Sequence, residues 1–199
     1  MSLPNPLLLP NTLCDYYGKG LVPKRYQDGK DGQLSFETEP WLRYRYYVHY
    51  AEGSLMALMV ISLLMNSIKN GPVPFFIKPV TNVIVGRITS LFLAPNFKAH
   101  HTFLEDQLKT SPGRGQFLCG KDLTAADVLT SFPLKASQIR SGMSQGDFPL
   151  LWAYVDRLHQ REAYKRSVEK IAEGSFKNQS VNAKYRIVII EEVNRRCGF

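Results

Sequence analysis

The chain has 199 residues, 44% of them hydrophobic and 21% charged, with three cysteines and a formal net charge of +8. This composition excludes a wholly disordered chain, a collagen-like or linker-type sequence, and a disulfide-dense secreted scaffold. It is enough chain to bury one sizeable core or two small ones.

The basic charge is unevenly placed. Residues 1–40 carry four basic and five acidic groups, residues 41–156 eleven and seven, and residues 157–199 ten and five. A basic C-terminal end suits anionic partners such as a membrane surface, nucleic acid or an acidic ligand, and it equally suits a solvated surface. No nucleic-acid-binding motif accompanies the charge, so nucleic acid is not an expected partner. The start, MSLPNPLLLPNTL, has no basic n-region and its apolar run is broken by prolines, so no secretory signal is expected. The longest apolar stretch, residues 55–65 (LMALMVISLLM), is shorter than the ~20 residues that span a bilayer and reads as a buried core helix. The expectation is a cytoplasmic protein with reduced thiols.

Residues 1–40 are dense in turn formers, from Pro4, Pro6 and Pro10 to Gly29, Gly32 and Pro40, and read as irregular, with a short helix at 12–17 ended by Gly18. A helix is predicted over residues 41–68, with Pro40 in its first turn and Gly71-Pro72 as its stop. Pro72, Pro74 and Pro79 make a rigid connection to a second helix, residues 80–108, which Pro95 is expected to kink or break. TSPGRG (110–115) is a loop. Thr124 is an N-cap candidate, Asp127 completes a capping box, and Leu123 and Val128 occupy the staple positions. The helix that follows is expected to be disturbed by Pro133. Asp147 and Pro149 open the next, in which Leu151, Tyr154, Val155 and Leu158 share one face. Tyr164, Val168 and Ile171 continue that periodicity until Gly174. In the tail, YRIVIIEEV suits strand or helix, and no partner strand is visible. The domain reading is an irregular remnant or linker at 1–40, an all-α bundle of five or six helices at 41–173, and a tail at 174–199 for which disorder is one reading.

Four stretches carry a family resemblance: YRYYVHYAEGSLMALMV, GPVPFFIKPVTNVIVGRI, FLCGKDLTAADVLTSFPL and FPLLWAYVDRLHQREAYKRSVEKI. Together they resemble the C-terminal helical domain of glutathione S-transferases, in the fungal, yeast-type branch that associates with the endoplasmic reticulum. The resemblance covers residues 41–172, about two-thirds of the chain. It implies an all-α, glutathione S-transferase C-terminal-like bundle with a short irregular N-terminal remnant. It also implies glutathione as co-substrate, no metal, a small apolar electrophile such as a fungal secondary metabolite, and a homodimer or a heterodimer with a transferase. Detoxification or secondary metabolism is the implied setting, with cytoplasmic or peripheral endoplasmic-reticulum location.

Family members begin with a thioredoxin-like domain of about 80 residues, a typical small-domain size. That domain holds the glutathione and supplies the group that lowers its thiol pKa. Here CDYYGKGLVPKRY resembles only the end of that domain and its linker, and Asn11-Thr12 stands where a γ-glutamyl-binding pair would lie. The expectation is therefore a chain lacking most of the glutathione-binding domain. The alternatives to an enzyme are a non-catalytic ligand-binding or dimerisation module that pairs with a full-length transferase, and a truncated gene product.

Conjugation needs a thiolate, and free thiols titrate near pH ~8.5, so a positioned donor is required. The helical domain supplies the apolar pocket for the electrophile, which brings the reactants together. Candidates for that pocket, or for a partner surface, are Arg43, Tyr46, Tyr47, His49, Tyr50 and Met56, with Met59 beyond them. The same stripe suits a bundle core plus a dimer surface. Arg43, Arg45, Tyr46 and His49 suit an anionic group such as a glutathione carboxylate, or ordinary surface ion pairing. His100-His101 points two ways, since adjacent helical residues diverge by about 100°, and no ligand spacing accompanies it, so no metal is expected. Cys14, Cys119 and Cys197 form no CxxC; Cys119 sits in an apolar FLCG context and reads as packed. Cys14 needs a basic neighbour or a helix N-terminus to be reactive. Asp127 reads as a cap. No phosphate loop, nucleophile elbow or paired-carboxylate motif is present.

Overall fold

A computed structural model describes residues 18–72 and 74–177. The expectations for Asn11-Thr12, the helix at 12–17, Cys14, Cys197 and the tail beyond 177 lie outside the described residues. Residues up to Asp156 form one compact unit and those from Arg157 a second.

The described residues are helical, with isolated bridges and no strand. The first unit opens with a 3-10 turn, Lys19–Leu21, and an antiparallel bridge between Tyr26 and Glu37. The segment is pinned to the helix that follows. The Arg25 guanidinium pairs with Glu37 at 3.1 Å and lies over the Trp41 ring, 5.6 Å from its centroid, while the Thr38 hydroxyl donates to the Lys24 carbonyl.

Helix α1, Glu39–Lys69, starts where Thr38 Oγ1 accepts from the Trp41 N–H at 3.3 Å, with Pro40 in the first turn. It buries Tyr44, Tyr47, Val48, Ala51, Leu55, Leu58 and Met59, a stripe at helical spacing. Residues Ala51–Met56 are wound as π-helix. The apolar run at 55–65 is not the buried core helix expected of it. It buries only Leu55, Leu58 and Met59, and it belongs to a 31-residue helix long and apolar enough, by length and composition, to cross a bilayer.

Helix α2 runs antiparallel to α1 over residues 78–109. Regular α-helical winding is interrupted just before Pro95. The preceding turn, Thr89–Leu93, widens to π-helix, and the Asn96 side-chain amide donates to the Phe92 carbonyl at 2.7 Å. The wider turn accommodates the N–H that proline lacks. Leu58 and Met59 of α1 pack with Leu93 and Phe97 of α2, flanked by Ile61, Met65 and Ala136.

Helix α3, Ala125–Arg140, runs unbroken through the buried Pro133. Helix α4, Pro149–His159, buries Leu151, Tyr154, Val155 and Leu158, the four residues of the expected face. The start of α4 is held by Glu105 of α2, whose carboxylate accepts from the N–H groups of Leu150 at 3.2 Å and Leu151 at 2.7 Å. A negative group at a helix N-terminus satisfies orphan donors and opposes the helix dipole favourably. In the second unit α5, Glu162–Lys177, continues through Gly174 rather than ending there, and Ile171 is 62% exposed instead of extending a buried face.

The loop before α3 is tightly closed. Phe117 and Gly120 exchange backbone hydrogen bonds at 3.0 and 3.3 Å. A Cβ at Gly115 would lie 2.0 Å from the Gly120 carbonyl carbon and oxygen. Gly115→Ala is therefore expected to cost about 1–3 kcal/mol by forcing the backbone apart, measured as a lower denaturant midpoint. An unchanged midpoint would show that the loop yields freely.

Candidate functional site: an aromatic and basic cleft on helix α1

Among the described residues of the first unit, two open clefts bear on function. One, of about 410 Å³, lies between residues 20–24 and the loop around Pro112 and Lys121. It reaches Cys119, which is 2% exposed, and burial pushes that thiol up to about 12. A thiol held protonated is a poor nucleophile.

The other cleft, of about 390 Å³, is lined by Arg45, Tyr46, His49, Tyr50 and Ser54 of α1. Their spacing brings them to one flank, since residues three and four apart are helix neighbours. Tyr46 is 52% exposed, and its ring lies over that of Tyr50, with centroids 5.6 Å apart and planes 20° from parallel. Phe103 of α2 closes against both rings, at 6.0 and 5.4 Å. The Tyr50 hydroxyl is hydrogen-bonded to His100 Nδ1 at 2.6 Å, and burial pushes its pKa well up. Arg45 and His49 are exposed at the rim.

The sequence candidates divide. Tyr46, His49 and Tyr50 meet in the cleft together with Arg45. Tyr47 is 1% exposed and Met59 2%, so both belong to the core, and Met56 is partly buried outside the cleft lining. The Tyr47 hydroxyl donates to Gln107 Oε1 at 3.0 Å, and burial raises its pKa. Arg43 is not positioned to meet an anionic ligand. Its guanidinium pairs with Glu39 at 2.9 Å and donates to the carbonyls of Gln107 at 3.2 Å and Thr110 at 2.8 Å. It ties the start of α1 to the end of α2, a role set by carbonyls more than sixty positions away in sequence.

The two histidines part. His100 meets Tyr50, while His101 is 2% exposed and hydrogen-bonds Ser137 Oγ through Nε2 at 2.7 Å. Among the described residues no three His, Cys, Asp or Glu side chains group as a metal site requires.

Thr124 and Asp127 form a reciprocal cap. Asp127 Oδ2 accepts from the Thr124 N–H at 2.8 Å and from its hydroxyl at 2.6 Å. Asp127 does more than cap. Its Oδ1 accepts from the Leu118 N–H at 3.1 Å and the Tyr154 hydroxyl at 2.8 Å, joining the closed loop, α3 and α4. Burial pushes its carboxyl above the usual range, and these donors pull it back. Val128, the expected staple residue, is 50% exposed.

Comparison with known proteins agrees with this architecture. Over 125 residues the chain is 29% identical to glutathione S-transferase 1 of Saccharomyces cerevisiae, a match covering 63% of this chain and 52% of that protein. Over 134 residues it is 23% identical to glutathione S-transferase 3 of Schizosaccharomyces pombe, covering 67% and 53%. The chain spans about half the length of these curated relatives. A crystal structure of a glutathione S-transferase from Actinobacillus pleuropneumoniae superposes with a TM-score of 0.52 at 21% identity, covering 85% of this chain and 64% of that one. No family model matches the chain. By sequence the chain is similar to glutathione S-transferases, and the described residues form an all-α fold like the C-terminal helical bundle of those proteins.

Proposed function

We propose that this chain takes part in glutathione transfer to an apolar electrophile and that α1 supplies the electrophile's binding face. The supporting observation is the α1 cleft. The exposed Tyr46 ring, held parallel to Tyr50, offers a flat apolar wall for an aromatic ligand. Arg45 and His49 at the rim suit a carboxylate or a leaving anion. Seating the electrophile lowers the entropic part of the barrier to attack by a thiolate. A homodimer, or a pair with another transferase, belongs to the same proposal.

A second reading, a non-catalytic ligand-binding or pairing module, is favoured by one observation. The phenols and thiol whose acidity is displaced near α1, Tyr47, Tyr50 and Cys119, are all displaced upward by burial. The Tyr50 hydroxyl is moreover engaged with His100. A phenol whose proton is already given to Gln107, as in Tyr47, or whose hydroxyl is engaged with His100, as in Tyr50, is not free to donate to a thiolate, and a thiol held protonated is a poor nucleophile.

Titration with S-hexylglutathione, alongside conjugation of glutathione to 1-chloro-2,4-dinitrobenzene, separates the two readings. Under the first, ligand binds, turnover exceeds background, and Tyr46→Ala or Arg45→Gln lowers affinity about tenfold, the loss of one good contact. Binding without turnover selects the second reading. No saturable binding overturns the first reading and the ligand-binding form of the second, and a strictly monomeric chain in sedimentation then overturns the pairing form.

A further inference from the structure

Beside the α1 cleft the two long helices meet through a cluster of rings. Tyr46 and Tyr50 lie one turn apart on α1, and His100 and Phe103 lie one turn apart on α2, so each pair shares a flank of its helix. Tyr50 is the centre of the cluster. Its ring centroid lies 5.6 Å from Tyr46, 6.2 Å from Tyr47, 5.5 Å from His100 and 5.4 Å from Phe103. It is buried, whereas Tyr46, stacked on it, is exposed.

One hydrogen bond fixes that central ring. Among the described residues His100 is the only side-chain partner of the Tyr50 hydroxyl, and Tyr50 is the only one of the imidazole. At 2.6 Å the bond is at the short end of the range for a hydroxyl donor. Burial keeps the phenol protonated and, at neutral pH, the imidazole neutral. The hydroxyl therefore donates to Nδ1, and the imidazole proton rests on Nε2. A phenol O–H lies in the plane of its ring. A directional bond to one acceptor thus selects both the direction of the side chain and the tilt of the ring. Ring contacts alone are satisfied by several orientations, stacked or edge to face.

We infer that His100 is a positioning residue for the α1 cleft: by fixing the Tyr50 ring it keeps Tyr46 parallel to it, and so makes the cleft select a planar aromatic electrophile over an aliphatic one. The inference rests on the proposed role of this cleft and adds the ligand class and the residue that sets it. Tyr46 is the exposed wall, and exposed side chains change rotamer readily unless something supports them. Its support is the Tyr50 ring, 20° from parallel. A wall already ordered in the free protein receives a flat ligand without the cost of ordering it. An aliphatic chain gains little from that order, since it has no ring face to stack. His100 is outside the cleft lining, so it acts through Tyr50 and not on the ligand.

Titration with S-(4-nitrobenzyl)glutathione and with S-hexylglutathione tests it, because the probes share the glutathione part and differ in an aromatic against an aliphatic group. The wild-type chain is expected to bind the aromatic probe about fivefold more tightly, the scale of one stacked ring. His100→Leu is expected to abolish that preference. His100→Asn, whose Oδ1 takes the place of Nδ1 as acceptor, is expected to restore most of it. Tyr50→Phe should match His100→Leu, and the two together should lose no more than either alone. A merely structural role would weaken both probes alike and leave their ratio unchanged. An unchanged ratio in His100→Leu and Tyr50→Phe, or a wild-type chain without preference, overturns the inference while the cleft stands as the ligand site. A wild-type chain that binds neither probe overturns the proposed role of the cleft, and the inference falls with it. If His100→Leu fails to fold, Tyr50→Phe decides, since it removes the bond and keeps the ring.

Discussion

Asp127→Ala is expected to destabilise the fold by about 3–5 kcal/mol, since each buried donor left without a partner costs ~1–3 kcal/mol. Removing the carboxylate strands the N–H groups of Leu118 and Thr124 and leaves the Tyr154 hydroxyl only its 3.2 Å contact with Thr130, in a site where Asp127 and Tyr154 are both fully buried. The loss reaches further than a helix cap, whose removal costs about 1 kcal/mol, because the same carboxylate joins α3 to the 117–120 loop and to α4. The thermal midpoint is expected to fall by about 10 °C for a chain of this size. Tyr154→Phe removes one donor and leaves the others in place, so about 1 kcal/mol is expected from it. Denaturant unfolding of the two variants gives the comparison. Equal and small losses would mean that Asp127 acts as a cap and nothing more.

Acidification below neutral pH is expected to remove about 3 kcal/mol of stability through His101 alone. Burial, helped by neighbouring His100, holds the folded His101 at about 4, against 6.5 for an exposed histidine. The ring lies between Phe97 and Phe148, with Nε2 on Ser137 Oγ. Since the folded pKa is lowered, the unfolded chain takes up a proton first as the pH falls. The stabilisation is complete above pH 6.5 and is lost progressively as the pH drops toward 4. His101→Gln removes the titrating group while retaining a polar atom for Ser137. The difference in unfolding free energy between the two proteins should therefore shrink across that window, with carboxylate titration common to both. A constant difference would show that His101 binds its proton equally well in both states.

Local signals in the sequence were those that carried furthest. The capping box at Thr124 and Asp127 is written within four residues, and the hairpin stop at Gly71-Pro72 within two, so tertiary structure had little to add. The α4 face at Leu151, Tyr154, Val155 and Leu158 follows from spacing alone. What was hidden depended on residues distant in sequence. Arg43 looked free for an anion because the carbonyls of Gln107 and Thr110 that occupy it come into reach only when α1 and α2 pair. Glu105 carried no motif, yet it caps α4 from 45 positions away. Its only local trace is the proline-led start of α4. The π-turns also escaped. Pro95 signalled a disturbance, but whether a helix answers by bending or by widening depends on partners such as the Asn96 amide. The apolar pattern at 55–65 gave the helix and not its exposure, because hydrophobicity does not say what covers a residue.

Within the candidate site, the cluster of Tyr46, His49 and Tyr50 was legible as a set at helical spacing. Its division from Tyr47 and Met59 was not. Tyr46 and Tyr47 are neighbours in sequence, and the 100°-scale turn between them puts one in the cleft and the other in the core.

The most direct test of the α1 cleft as the ligand site is a nuclear magnetic resonance titration of the purified chain with S-hexylglutathione. Saturable shifts concentrated on Arg45, Tyr46, His49 and Ser54, and weakened in Tyr46→Ala, are the predicted result. Shifts centred instead on the cleft near Lys24 and Lys121, or no saturable shifts at all, would contradict it.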